Sequence, residues 1–329
     1  MPRLARRPAL AAALALLARG GPALAQAPSQ APSGRPVTLV VPNPPGGGTD
    51  FAARLFQDRL GALLGQPVVI ENKPGANGNI AIQAVVRAAP DGLTLLMQYS
   101  GYHAGNPAMI PNLPWDPVRD LAPVGMATVA PHAILVPASL PVQTLQELIA
   151  YAKARPGQLN FASSGNGSIQ HIGGVLFARA IGVPMVHVPY RGAAPALQDV
   201  AGGRIELFVT TPSSAIGLIQ GGQVRALAIA SDARIPALPG VPTTAEAGLP
   251  GFTVDAWFAV FAPAATPRPV LERLNAAMRE ATRDPDLQRR AQEGGVVLRA
   301  LTLAEMDAVA RKEIEELGRT IRTAEIRLE

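Results

Sequence analysis

Residues 37–64 read VTLVVPNPPGGGTDFAARLFQDRLGALL, and the order of their parts decides the fold. Val37–Val41 is a short β-branched run, which predicts a strand. Pro42 to Gly48 form a corner. From Thr49 to Leu64, Phe51, Leu55, Leu60, Leu63 and Leu64 return roughly at the 3.6-residue period of a helix. A helix start carries unpaired N–H groups and the positive end of the helix dipole. Gly46, Gly47 and Gly48 have no side chains, so a ligand can come close to the backbone there. The unit predicts a seat for a small anion such as a carboxylate. A second unit of the same kind, LNFASSGNGSIQHIGGVLFARAI, occupies 159–181. Two such seats predict a ligand held between two lobes.

The same alternation continues on both sides. Val68–Glu71, the turn KPGANGN, a helix from Asn79 to Ala88 and a strand at Leu93–Met97 complete a βαβαβ order. That order predicts a parallel sheet covered by helices on both faces. Residues 98–131, rich in Pro, Gly and Asn, read as irregular. Ala133–Val136 is a strand near a crossing into a second lobe, where short βα units repeat up to Ile229. Val254–Phe261 is an apolar run expected to return to the first lobe. The closing helix over Leu303–Ala324 has Thr302 as N-cap and Glu305 three residues on, the pattern of a capping box.

Composition limits the function classes. Arg3, Arg6 and Arg7, the apolar stretch PALAAALALLA at 8–18, and Ala23-Leu24-Ala25 before Gln26 have the layout of a secretory signal peptide. Residues 26–34 read as a flexible mature N-terminus. The net charge is +5, and the leader holds four arginines and no acid, so its removal leaves +1. Basicity is thus mainly an export feature and argues against a nucleic-acid partner. There is no cysteine, which excludes disulfides, thiolate metal sites, thiol nucleophiles and a lipoprotein anchor. His103, His132, His171 and His187 lack metal-ligand spacing. The chain is expected to be periplasmic, without cofactor or metal.

The candidate binding residues fall on loops that follow strands, where α/β sheets present ligand contacts. The first loop lacks both G-x-G-x-x-G and a P-loop ending, so nucleotides are poorly supported. Thr49 is open to two roles, helix cap or ligand contact. Asp50 either complements the helix dipole or holds a ligand ammonium or a water. In the second loop, Ser163 and Ser168 offer hydroxyls, and Ser168 also suits an N-cap. Ser100 in the segment Tyr99–His103, Tyr190 beside Arg191, and Thr210 end three other predicted strands. Arg191 either meets an anionic ligand or pairs with an acid. Ser168 with His171 raises a hydrolase reading. However, G-x-S-x-G is absent and no acidic orienter accompanies them, so an enzyme is not expected.

These segments together resemble a family. RPVTLVVPNPPGGGTDFAAR at 35–54, VVIENKPGANGNIA at 68–81, APDGLTLLM at 89–97, LPWDPVRDLAPV at 113–124, LNFASSGNGSIQHIGG at 159–174 and VPYRGAAPALQDVAGG at 188–203 are similar to Bug-type (Bordetella uptake gene) receptors. These are the TctC-like substrate-binding proteins of tripartite tricarboxylate transporters. The resemblance implies an α/β, two-lobed periplasmic-binding-protein type II fold with a ligand cleft between the lobes. It implies lobe 1 from 35–131 plus 254–329, lobe 2 from 132–253, and closure about crossings near 128–134 and 250–256. It also implies ligand contacts at Gly47, Thr49, Asp50, Ser163 and Ser168, extended to Ser100, Tyr190 and Thr210. The expected partners are a small organic acid (a dicarboxylate, amino acid or aromatic acid) and an inner-membrane permease of the TctA/TctB type, with the receptor a monomer. A sensory co-receptor for a membrane kinase is the alternative within the binding class.

Overall fold

The computed structural model describes residues 34–326. The export leader and residues 26–33 of the flexible segment lie outside the described residues. The chain begins β1 (Val37–Val41), α1 (Gly48–Leu64), β2 (Val68–Asn72), α2 (Asn79–Val86) and β3 (Thr94–Tyr99). After a π-helical turn at Gly101–Gly105 come α3 (Asn106–Met109) and a long strand, β4 (Leu121–Pro137). Then follow α4 (Leu145–Lys153), β5 (Asn160–Ser163), α5 (Ile169–Ile181), β6 (Val186–Pro189), α6 (Ala193–Ala201), β7 (Leu207–Thr210), α7 (Pro212–Gln220) and β8 (Val224–Ala230). The chain closes with β9 (Asp255–Pro263), α8 (Arg268–Ala281), α9 (Pro285–Glu293), β10 (Val297–Leu298) and α10 (Leu303–Thr323).

The strands form two sheets that share β4. In the first, β2, β1 and β3 run parallel, β9 lies antiparallel on β3, and β4 lies antiparallel on β9, with β10 on its far side. In the second, β6, β5 and β7 run parallel, and β4 is antiparallel to both β7 and β8. The change of sheet is abrupt. Pro131 pairs with Asp255 in the first sheet and His132 pairs with Ala230 in the second. Val254 ties the two crossing segments together, accepting from His132 N–H at 2.8 Å and donating to the Ala230 carbonyl at 2.9 Å.

Residues 121–131, expected to be irregular, are strand. Their sequence LAPVGMATVAP shows no alternation because the strand is covered on both sides, and buried strands lose the period-two signal. Two register shifts, at Pro123/Gly125 and Met126/Thr128, explain how Pro and Gly fit within it. The helices read from the sequence hold to within a residue or two, whereas residues 101–109, expected to be irregular, are helical; Thr302 and Glu305 form the reciprocal capping box.

The main core runs between the first sheet and its helices and on into the α5 side of the second sheet, with Phe56, Leu96, Phe258 and Phe177 fully enclosed. A smaller core fills the other face of the second sheet. There Phe208, Ala133 and Leu135 pack against Ala196 and Leu197 of α6 and Ala215 of α7. The helix α10 also reaches the second sheet's side. Arg179 of α5 donates to the carbonyls of Thr323 (3.1 Å) and Ala324, at the negative end of that helix.

Candidate functional site

The loops after β1, β3, β5, β6 and β7 converge between the two sheets. Asn43, Pro44, Gly47, Gly48, Thr49, Tyr99 and Phe258 line one side of an inner chamber; Ser164, Gln170, Gly192, Ala193 and Thr211 line the other. The chamber has a volume of about 20 Å³, little more than a single water needs. An outer cleft of about 670 Å³ adjoins it, walled by Pro42, Pro74–Asn77, Tyr102, Asn166, Tyr190 and Arg191. That size suits a small organic ligand.

The first loop is built around Asn43. Its Oδ1 accepts from Thr49 Oγ1 at 2.9 Å, its Nδ2 donates to Tyr102 Oη at 3.0 Å, and its carbonyl accepts from Asn72 at 2.9 Å. Gly47 is the N-cap of α1, in extended backbone, and among the described residues no side chain caps this end. The amides of Gly48 and Thr49 have no acceptor among the described residues. Gly48 is required by close approach. A Cβ there would sit 2.8 Å from the Phe258 ring and 3.0 Å from Thr211 Oγ1. The opposite wall reaches this loop as well, since a Cβ on Gly192 would fall 3.1 Å from Pro44.

Of the residues expected to bind, Gly47, Thr49 and Tyr190 reach the chamber or the cleft. The Tyr190 hydroxyl donates to Asp199 at 2.6 Å. Arg191 has neither hydrogen bond nor ion pair among the described residues and stands exposed on the cleft wall.

Asp50 is corrected. Its carboxylate lies beneath the loop and accepts from Gly46 N–H (3.1 Å), Arg54 (2.9 Å) and Asn72 (3.1 Å). Burial raises its pKa, but those hydrogen bonds outweigh burial and hold it below the usual carboxylate range. It braces the loop, buried, with Gly46, Arg54 and Asn72 as its partners.

Four further side chains turn inward, three of them beside a residue that faces the chamber. Ser100 Oγ accepts from Trp257 N–H at 3.2 Å, and its neighbour Tyr99 lines the chamber. Ser163 Oγ lies 2.6 Å from His187 Nε2 and donates to the Gly165 carbonyl; Ser164 lines the chamber. Thr210 is fully buried, its hydroxyl without a partner among the described residues, and Thr211 lines the chamber. Successive side chains at a strand end point to opposite faces, so the phase at the strand end decides which of two neighbours lines the chamber. Ser168 caps α5, accepting from His171 N–H at 3.2 Å and donating to the Gly165 carbonyl at 2.7 Å. It is not hydrogen-bonded to an imidazole, so no activated serine is formed there.

Beneath the second loop the rings of His171 and His187 stack, 3.8 Å apart and 13° from parallel. His171 Nδ1 accepts from Gly167 N–H at 3.1 Å. Burial pushes both imidazoles down to about 4, and His187 is lowered further by its neighbour. In the unfolded chain both titrate near 6.5. Acid therefore favours the unfolded state. Stability present above about pH 6.5 is lost as the pH falls towards 4. Replacing His187 by Gln removes one share of that loss. Discounted for the ring's partial exposure, the stability gap between wild type and His187→Gln should shift by about 1 kcal/mol in the variant's favour from pH 7.5 to 5. Denaturant titrations at the two pH values measure it, and an identical gap would refute the assignment.

The chain is similar to known proteins along most of its length. Residues 52–326 match the family model described as tripartite tricarboxylate transporter family receptor, TctC. Protein BugT of Bordetella pertussis is 39% identical over 248 residues, 75% of this chain and 76% of that protein. MatC from Rhodopseudomonas palustris, solved with bound malate, is 36% identical with a TM-score of 0.82, covering 87% of this chain and 99% of that one. R. palustris Rpa4515, solved with adipate, is 36% identical with a TM-score of 0.86, covering 89% and 98%.

Proposed function

We propose, from the premise that this chain belongs to the tripartite tricarboxylate transporter family of receptors (TctC), that its α1 turn grips one carboxylate of a small organic acid. The chain is a solute-binding receptor with the two-lobed fold of periplasmic binding proteins. The observation that carries the ligand class is the uncapped start of α1. Unpaired N–H groups of Gly48 and Thr49 face a chamber too small for more than a compact polar head. A carboxylate oxygen matches those donors and the dipole without needing a cation. The malate- and adipate-bound relatives support the same class.

The lobes divide at 131/132 and 253/254, and they part and close by bending at these two crossings. Ligand contacts from both walls favour the closed state. Closure dries the chamber, and hydrogen bonds to the carboxylate strengthen as water leaves. The receptor then delivers its solute to an inner-membrane permease of the TctA/TctB type, acting without catalysis. Export proceeds through the leader, cleaved near Ala25-Gln26.

A melting-temperature screen of the mature protein against malate, adipate and other small carboxylates tests this reading. A ligand at one hundred times its Kd stabilises by about 2.7 kcal/mol, a readily visible shift. Stabilisation by an uncharged solute, with every carboxylate inert, would overturn it.

A further inference from the structure

Tyr99 ends β3 on one wall of the chamber and reaches the other. Its hydroxyl accepts from the backbone N–H of Ile169 at 2.8 Å and donates to Gln170 Oε1 at 2.9 Å. Ile169 is the first residue of α5, so its N–H belongs to the donors that a helix start leaves without an internal acceptor. The phenol oxygen thus stands where an anion's oxygen would sit on that helix. Neighbouring donors are also engaged. Gly165 N–H goes to Ser163 Oγ, Gly167 N–H to His171, Ser168 N–H to the Gly165 carbonyl and His171 N–H to Ser168 Oγ. The two helix starts that look alike in sequence are therefore unequal, the α1 amides open to the chamber and the α5 turn largely satisfied by the protein.

The ring is held in that position from three sides. It stacks on Phe258 (5.6 Å, 15°), meets Tyr102 edge-on (5.0 Å, 87°), and passes so close to the backbone that a Cβ at Gly101 would lie 2.7 Å from it. Ser164 Oγ donates to the same Gln170 oxygen at 3.0 Å, which completes a network across the chamber. Burial keeps the Tyr99 phenol well above its ordinary pKa, so it remains a neutral donor.

We propose that Tyr99 determines specificity by standing in for a second ligand carboxylate at α5. The solute would then present one carboxylate to the α1 amides and carry no second one directed at α5. This rests on the reading that a carboxylate occupies the α1 turn.

Matched acids test it. Butanoate against succinate, and hexanoate against adipate, differ only in the second carboxylate. Calorimetry on the mature wild type should show at least tenfold preference for the monoacid of the better-bound pair. Tyr99→Ala removes the ring and reopens the Ile169 amide, and the preference should fall at least tenfold or reverse. Tyr99→Phe keeps the ring but not the hydroxyl; amide exchange at Ile169 in the ligand-free protein should accelerate at least tenfold. Wild-type preference for the diacid, a ratio unchanged in Tyr99→Ala, or unchanged exchange in Tyr99→Phe would each overturn the proposal. Failure of all acids to bind every variant would instead overturn the carboxylate reading, and the specificity proposal with it.

Discussion

Gly47→Val should abolish ligand-induced stabilisation while leaving the protein folded. Gly47 has φ −92° and ψ 172°, a conformation open to any residue, and a Cβ there would meet nothing within 4 Å. The fold therefore accepts the side chain. Its cost in the ligand-free protein is that of a poor N-cap, about 1 kcal/mol. The branched side chain, however, enters the space in front of the Gly48 and Thr49 amides, where the carboxylate must come within about 3 Å. Affinity should drop at least 100-fold. At a ligand concentration that stabilises the wild type by about 2.7 kcal/mol, such a drop leaves at most about 0.4 kcal/mol, too small a shift to resolve. Gly47→Ala, with one methyl group, should fall between. Differential scanning fluorimetry with and without ligand reads all three proteins, and a full shift retained by Gly47→Val would place the ligand elsewhere.

Phe208→Ala should severely destabilise the fold. Phe208 lies on β7, in the middle of the second sheet, and is fully buried in the smaller of the two cores. Its neighbours there include Ala133, Ala162, Ala196 and Ala215, short side chains on sheet and helices that cannot move in to fill the space. Removing a buried phenyl in such surroundings costs about 3–5 kcal/mol, the transfer loss plus the cavity. That is a large part of the stability of an ordinary domain. Urea titration should show a lower midpoint with a similar slope. A loss below about 1 kcal/mol would mean the core collapses around the gap.

The sequence carried the β1–loop–α1 unit in full because each part has a local cause: β-branched residues for the strand, glycines for the corner, helical period for α1. Residues 121–131 carried no such signal, since a strand buried on both faces and interrupted by bulges has no alternation to detect. At the site, the loops were legible as loops, but the side chain that lines the chamber was not. Whether Ser163 or Ser164, Thr210 or Thr211, Ser100 or Tyr99 faces the chamber depends on the twist with which each strand ends, and distant partners fix that twist. His187 claims Ser163 and Trp257 claims Ser100. The equivalence of the two helix starts failed for the same reason. Tyr99 is 70 residues from the amide it engages.

A seventeen-residue strand that belongs to both sheets is a leaf spring, not a ball joint. Slippage along it by one residue would turn the inner faces of both sheets outward at once, so the register is pinned. Among the described residues, the strand passes from one sheet to the other where Pro131 gives way to His132, with Val254 bonded alongside, and the proposed closure places its flexure there. If the proposed closure bends there, the jaws would swing along one arc, and anything that recognises this molecule by its outline would meet a one-dimensional family of silhouettes.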